Sequence, residues 1–534
     1  MTTVREATID LCRTLGLTTW FGNPGSSELT LLQDFPDDFR YFLGLQEMVP
    51  VAMADAWAQI TGKPAIVNLH TAPGMGNAQG ALYNAHVNKT PLIVTAGNQR
   101  RIMQNQYCLL TNLDPTVVPK PFVKYSAEPA IASELPAVLA HAYHIATTPP
   151  MGPVFVSMPM DDCETELDDG QLADIHRVRD RKVSHSGGFS EKLAQQVATR
   201  LDAARSPVII VGGDVERYGA REDVVALAAR TQATVWTAPL TGMSGFPENH
   251  PLYQGLLPAA KGPLSDKLTG HDFVLVIGSP VFRYYPLVEG SYLPDGTTLV
   301  QLTNDPDEAA RAPIGDSVVG DLTALTRAIL DRVTRSDRPS QAPRGDIPAL
   351  EPASAPLAPE SLWNAVGRAA PSDTLWVSEC GSNEQIVTDL IRPSGPKSHL
   401  TAAGEGLGFG LPAAVGAQLA APDRPVVALM GDGSIQYAIT ALWTAAHYRI
   451  PLTIVVAANS EYGILKEFGA LEKTFGVPGL DVPDLDVAAT AASFGVQSHR
   501  AGSADEVSDL VGKAVADHSN PTLIEVPITK VPIH

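Results

Sequence analysis

The chain has 534 residues, enough for about three or four domains, and 44% of them are hydrophobic, a composition that excludes a wholly disordered chain and a small disulfide-stapled one. With 58 acidic against 38 basic residues the formal charge is −20 and no basic block interrupts the excess, which excludes a nucleic-acid partner and requires any bound phosphate to be neutralised locally. The four cysteines, Cys12, Cys108, Cys163 and Cys380, show no CxxC spacing and read as reduced thiols, and no apolar run approaches ~20 residues, so a cytoplasmic protein that does not span a membrane is expected.

In chain order, MTTVREATIDLCRTLG has the pattern of an amphipathic helix rather than a signal peptide. TTWFG, YFLGL, AIVNLH, PLIVTAG and PVFVSMP then read as strands, with helices over VPVAMADAWAQITG and GNAQGALYNAHVN between them. The polar stretch DDCETELDDGQLADIHRVRDRK breaks this alternation. A second block carries SPVIIVGG, ATVWTAP, DFVLVIGSP and TTLVQLTND and ends near Asp331. RSDRPSQAPRGDIPALEPASAPLAPES, rich in Pro, Ser and Ala, reads as an extended linker. A third block supplies TLWVSE, PVVALMGDG, PLTIVVAAN and PTLIEVPI. Short apolar runs alternating with helical patterns predict an α/β chain built on parallel sheets, with the first and third blocks alike in size and style. The middle block invites a dinucleotide site, but its first strand runs into GGDVERYGA, which lacks GxGxxG, and GEGLGFG near Gly404 fails that spacing too.

The sharpest motif is Gly431-Asp432-Gly433-Ser434, where the strand PVVALM stops. Alone it reads as a turn sooner than as a metal site. Downstream, the helical stretch SIQYAITALWTAAHYRI leads to a second buried strand that ends at Asn459, so two neighbouring strand ends place a carboxylate and an amide oxygen side by side. With a backbone carbonyl and diphosphate oxygens, those groups complete an octahedral shell for Mg²⁺, Ca²⁺ being the alternative ion.

Together with that motif, FGNPGSSEL (Phe21 to Leu29), LQE (Leu45 to Glu47), NLHTAPGMGNAQGAL (Asn68 to Leu82), PLIVTAG, PVFRY, GLGFGLPAA and ALWTAA resemble the thiamine diphosphate-dependent decarboxylases over essentially the whole chain, closest to the benzoylformate decarboxylases. The resemblance implies three doubly wound parallel-sheet domains: a pyrimidine-binding domain over 1–180, a central Rossmann-like domain without nucleotide fingerprint over 181–335, a linker over 336–358, and a domain for diphosphate and metal over 359–534. It implies non-oxidative decarboxylation of a 2-oxo acid, benzoylformate-like or smaller and apolar, to aldehyde and CO₂. It also implies a homodimer or homotetramer with the cofactor between subunits. A carboligase forming 2-hydroxy ketones or acetohydroxy acids is the alternative, and a catalytically silent homologue a third reading.

Carried over residue by residue, the resemblance makes Glu47 the carboxylate that bonds the cofactor's aminopyrimidine ring, although the position is also that of a helix N-terminal acid. It makes Ser26 the ligand of the substrate carboxylate and His70 the residue that moves protons there. Leu407 becomes the apolar wedge that bends the cofactor, and Asp432, Asn459 and the main-chain carbonyl of Glu461 become the metal ligands. Asn23, Pro24, Gly25, Ser382, Gly406, Gly433, Ser434, Tyr462, Gly463 and Ile464 complete the cofactor contacts, and Leu109, Leu110, Tyr285, Thr401, Ile464, Phe468 and Leu480 form the substrate pocket. Two departures bear on substrate. Tyr285 follows PVFRY where benzoylformate decarboxylases carry a second catalytic histidine, and a tyrosine is the poorer proton shuttle at neutral pH. Thr401 and Ile464 stand where Phe and Ala are usual, which removes a stacking ring and narrows the cavity.

Overall fold

The computed structural model describes residues 2–184, 188–339 and 341–530; the parts of the predicted central block, linker and last domain at 185–187, 340 and 531–534 lie outside it. Three sheets of six strands follow one another along the chain, and every strand pairing within them is parallel. The first contains β1 (Thr19–Gly22), β2 (Arg40–Leu43), β3 (Ala65–Leu69), β4 (Leu92–Asn98), β5 (Ser126–Ala127) and β6 (Val154–Pro159), in the order β2-β1-β3-β4-β6-β5. The second contains β7 (Pro207–Val211), β8 (Thr234–Thr237), β9 (Tyr253–Leu256), β10 (Phe273–Ile277), β11 (Thr298–Thr303) and β12 (Asp316–Val319), in the order β12-β11-β10-β7-β8-β9. The third contains β13 (Leu375–Glu379), β14 (His399–Leu400), β15 (Val426–Gly431), β16 (Leu452–Ala458), β17 (Gln497–Arg500) and β18 (Thr522–Pro527), in the order β14-β13-β15-β16-β18-β17. In each, the strand order reverses between two central strands: β1 and β3, β7 and β10, β13 and β15. Crevices open at the carboxyl ends of such pairs, and ligands bind there.

Some local expectations need correction. The polar stretch after β6 is not a break: Asp168 caps the helix Asp169–Arg179 and Gln171 closes the capping box, the helix being polar because only Ile175 on it is buried. GNAQGALYNAHVN spans two helices, Thr71–Asn77 and Gln79–Val87, that meet at Ala78. The stretch after GDG starts as a 3₁₀ turn, Ser434–Ala438, before the helix Ala441–His447. Among its described residues the predicted linker carries neither helix nor regular strand, yet it is tied down: Arg338 donates to the carbonyls of Thr231, Leu201 and Asp202, and Leu357 bridges to Ile528.

The first and third sheets share one apolar core, which takes Val67 and Val94 from one and Val377 and Ile454 from the other. Its axis is a helix pair, Met48–Thr61 against Gly410–Ala420, and Val49 to Gln59 and Gly410 to Gln418 are buried all round. At their crossing a Cβ on Gly416 would lie 2.0 Å from the Met53 carbonyl oxygen, so only glycine permits that approach.

Candidate active site

At the reversal point of the first sheet, the loop Asn23-Pro24-Gly25 leaves β1 and turns into a 3₁₀ helix, Ser26–Glu28, while His70 leaves β3. A Cβ on Gly25 would fall 2.3 Å from His70 Nδ1, so the glycine makes room for the ring. Sequence reasoning missed Glu28. It is 1% exposed, and its two oxygens accept from the backbone N–H of Gly25 (2.8 Å) and of Gly97 (2.7 Å) and from the Ser27 hydroxyl (2.8 Å). His70 Nδ1 stands 2.8 Å from the same carboxylate. An ionised carboxylate only accepts, so Nδ1 carries the proton and Nε2 is the nitrogen left for chemistry. Ser26, on the same turn, is exposed. Thr71, next to His70, is fully buried at φ 40°, a strained conformation for a β-branched residue, and among the described residues its hydroxyl has no hydrogen-bond partner. Glu47 heads the helix Met48–Thr61; its Oε2 accepts from Asn77 Nδ2 at 2.9 Å, and Gly74 lies against its carboxylate.

The second group of residues gathers at the reversal point of the third sheet. Asp432 is buried between β15 and β16, where Oδ1 accepts from Gly433 N at 2.9 Å and Oδ2 from Ser460 N at 2.7 Å. Burial pushes its carboxyl above the ordinary range against those two bonds. Asn459 Oδ1 accepts from Glu461 N at 3.2 Å, so the Asp432 and Asn459 oxygens share one turn with the Glu461 carbonyl. The Glu461 side chain is taken up by Lys466, which also reaches Asp481 at 2.7 Å. Ser434 Oγ donates to the Glu379 carbonyl at 2.7 Å, and Gly433 backs onto the Tyr462 ring, where a Cβ would lie 2.7 Å from Cε1. Ser382 stands in the 3₁₀ turn after β13, and Ile464, just inside the helix Gly463–Leu471, packs near Gly381 in that turn. Leu480 is drawn in by a short antiparallel pairing, in which Tyr462 N donates to the Leu480 carbonyl at 2.8 Å.

Of the pocket residues, Tyr285 and Phe468 meet edge to face with ring centroids 4.9 Å apart, although Tyr285 is 64% exposed. Thr401 commits its hydroxyl to the Thr241 carbonyl at 2.8 Å. Leu109 is 83% exposed and Leu110 sits at φ 64°, both on the loop after β4. Leu407 is half-buried between Gly406 and Gly408. The predicted residues thus fall into two groups: Ser26, Glu47, His70, Leu109 and Leu110 around the first sheet, Leu407, Asp432, Asn459, Glu461 and Ile464 around the third. Among the described residues no hydrogen bond or ion pair joins Glu47 or His70 to the second group.

An all-oxygen set of one carboxylate, one amide and one carbonyl suits a hard divalent cation whose remaining ligands come from a phosphate. Among the described residues no group of three or more His, Cys, Asp and Glu side chains could hold a metal unaided. The Asp432 and Asn459 side-chain oxygens, gathered on one turn by the Gly433, Ser460 and Glu461 N–H groups, fit such an ion by the chemistry of the donor set.

Three family models match in chain order: thiamine pyrophosphate enzyme, N-terminal TPP binding domain, over residues 2–116; the central domain over 194–329; and the C-terminal TPP binding domain over 379–526. The benzoylformate decarboxylase of Pseudomonas aeruginosa is 43% identical over 527 residues, 99% of each chain. Among solved structures, a thiamine diphosphate-dependent 4-hydroxybenzoylformate decarboxylase of Rhodococcus jostii superposes with a TM-score of 0.96 at 42% identity, over 99% of this chain and 100% of that one. The benzoylformate decarboxylase of Polynucleobacter necessarius superposes with a TM-score of 0.95 at 41% identity, over 99% of both. With that likeness running the length of all three sheets, the chain belongs to the thiamine pyrophosphate enzymes and, within them, to the benzoylformate decarboxylase family.

Proposed function

We propose that the chain decarboxylates an aryl 2-oxo acid of the benzoylformate type to the aldehyde and CO₂, as a thiamine diphosphate-dependent carboxy-lyase. The observation that carries this is the pair of residue groups at two sheet reversal points, complete in proton-handling and oxygen-donor residues, in a chain 43% identical to a benzoylformate decarboxylase over 99% of its length. When bound, thiamine diphosphate supplies the sink for the electron pair that departing CO₂ leaves behind. The residues do the rest. Asp432, Asn459 and the Glu461 carbonyl hold Mg²⁺, or Ca²⁺ in its place, against the diphosphate, because a chain of net charge −20 needs a cation to keep that anion. Glu47 bonds the aminopyrimidine ring, and Asn77 holds the carboxylate in place. Ser26 binds the substrate carboxylate, His70 Nε2 moves a proton at the substrate oxygen, and Leu110, Ile464 and Phe468 keep water from the reacting carbon.

The chain works as a homodimer or a dimer of dimers with the site shared between subunits. Supporting this, among the described residues no hydrogen bond or ion pair joins Glu47 or His70 to Asp432 or Asn459, and large apolar side chains stand exposed on the segments that carry these residues, among them Ile102, Tyr107 and Leu109 beside β4 and Phe475 beyond the helix Gly463–Leu471. Carboligation is the second reading, favoured by Tyr285, whose ring leans on Phe468 where the family usually has a histidine.

Incubation of the purified protein with cofactor, Mg²⁺ and a panel of aryl and aliphatic 2-oxo acids, with CO₂, aldehyde and 2-hydroxy ketone quantified, tests the reading. Aryl acids are expected to give CO₂ with free aldehyde in excess; a 2-hydroxy ketone as main product moves the chain to the carboligases. Asp432→Ala is expected to lower cofactor retention through gel filtration about 100-fold or more while leaving the thermal melt of the cofactor-free chain unchanged. Retention that survives both this change and chelation removes the metal assignment.

A further inference from the structure

The loop that carries Leu407 is gripped from two sides. From the first sheet's layer, Asn84 on the helix Gln79–Val87 donates through Nδ2 to the Gly406 carbonyl at 2.7 Å and accepts at Oδ1 from Gly406 N at 3.1 Å. Asn84 is 1% exposed, and this reciprocal pair satisfies both ends of its amide. From the third sheet, Glu379 at the end of β13 accepts from Gly408 N at 2.8 Å through one oxygen and from Gly410 N through the other. Leu407 is thus the one residue between the two grips. The glycines are spaced for this: a Cβ on Gly404 would lie 2.7 Å from the Tyr83 ring, one on Gly406 2.8 Å from Asn84 Oδ1, and one on Gly408 2.4 Å from Met48 Sδ. One turn beyond Asn84, Asn88 accepts from Ala403 N at 3.0 Å and donates to Asp55 at 2.9 Å, so the loop's approach is fixed by the same helix face.

We infer that Asn84 is a positioning residue for catalysis, its two-way bond to Gly406 setting where Leu407 stands against the counter-grip of Glu379 on Gly408 and Gly410. The inference rests on the reading of Leu407 as the side chain that shapes the bound cofactor. A bent cofactor tolerates little movement of the surface beneath it, and displacement by a fraction of a side chain costs turnover more than it costs binding. The oxygens that anchor the diphosphate are on other turns, at Asp432 and Asn459, so loosening this loop leaves the anchor in place.

Full-length Asn84→Ala, Asn84→Asp and Leu407→Ala proteins, compared with the unmodified chain, test this in two ways. The first is amide exchange, by mass spectrometry, of peptides covering residues 402–410 without added cofactor; the second is kcat and KM for benzoylformate with thiamine diphosphate and Mg²⁺. Asn84→Ala is expected to speed exchange over 402–410 and lower kcat about tenfold or more, with KM within about twofold and cofactor retention unchanged. Asn84→Asp, which keeps the acceptor for Gly406 N–H and loses the donor to its carbonyl, is expected to fall between, and carries the test if Asn84→Ala does not fold. Unchanged exchange, or faster exchange with full kcat, overturns the role of Asn84. If only Leu407→Ala loses turnover, the wedge reading stands and the Asn84 inference falls. If Leu407→Ala keeps full turnover, the wedge reading fails and takes the inference with it.

Discussion

Glu28 shows how much one buried carboxylate can organise. Four donors converge on its two oxygens: the Gly25 and Gly97 N–H groups, the Ser27 hydroxyl and His70 Nδ1. A charge so buried persists only because every lone pair is used, and breaking one contact disturbs the others. Glu28→Gln keeps the shape but turns an NH₂ toward groups that themselves donate, on whichever side it lands. With the NH₂ on the Gly25 side, His70 loses the acceptor that fixes its tautomer; with it on the Gly97 side, the ring keeps an acceptor, now uncharged, on a turn whose Gly97 bond is broken. The expected outcome is a kcat lowered about 10- to 100-fold with KM little changed, since the ring still occupies its place but has lost its charged orienting partner. Steady-state kinetics on benzoylformate check it; a kcat within about twofold of the unmodified enzyme would mean that His70 needs no charged orienting partner. His70 and Ser26 stand out in the sequence within NLHTAPG and FGNPGSSEL, and the structure places both at the reversal point of the first sheet. Glu28 lies in that second stretch too, but nothing local marks it: its role depends on a histidine 42 positions away and a backbone N–H 69 away.

For whole elements, legibility follows burial. Central strands such as β7, β10, β15 and β16 are covered on both faces, so they read as unbroken apolar runs. The five strands not foreseen, β5, β9, β12, β14 and β17, are all edge strands, two to four residues long, and β17 is Gln-Ser-His-Arg. Each is too short to show a period: β14 is two buried residues, His399 and Leu400, and β12 and β17 are largely exposed, so no apolar run or alternation marks them. The end of β13 also carries a measurable consequence. Burial pushes the Glu379 carboxyl from its ordinary 4.5 to about 7, outweighing the N–H bonds from Gly408 and Gly410 that favour its charge. The folded chain therefore holds this proton more tightly than the unfolded chain does. The stability it confers is whole below about pH 4.5 and is lost as pH rises through about 7, amounting to about 3 kcal/mol if no other group compensates. Glu379→Gln cannot ionise, so urea unfolding between pH 4.5 and pH 7 is expected to show a smaller fall in stability for the variant. Equal falls in both proteins would place the titration elsewhere.

Across the whole molecule, the three reversal points have different fates. Those of the first and third sheets carry the two groups of predicted site residues. At the second, between β7 and β10, Lys89 enters from the first sheet's layer and pairs with Asp214 at 3.0 Å, Asp305 at 3.1 Å and Glu308 at 2.9 Å, leaving a cavity of about 30 Å³. That space accommodates a water molecule or so, and the crevice serves to join domains. The remaining question is how the two groups meet. The Glu47 carboxylate is held by Asn77, and Asp432 by its own turn, and among the described residues no hydrogen bond or ion pair joins them. Large apolar side chains are exposed on segments near both, a surface a second copy could cover, and the proposed shared site requires that copy to supply Asp432 to this chain's Glu47. Mixing decides it. Glu47→Gln and Asp432→Ala proteins are each expected to be inactive. After subunit exchange in equal amounts, half of the dimers are mixed and each of these has one site with both residues intact, so about a quarter of full activity should return. Exchange is followed independently by native mass spectrometry of differently tagged chains. If tagged heterodimers form and no turnover returns, Glu47 and Asp432 serve the same site within one chain.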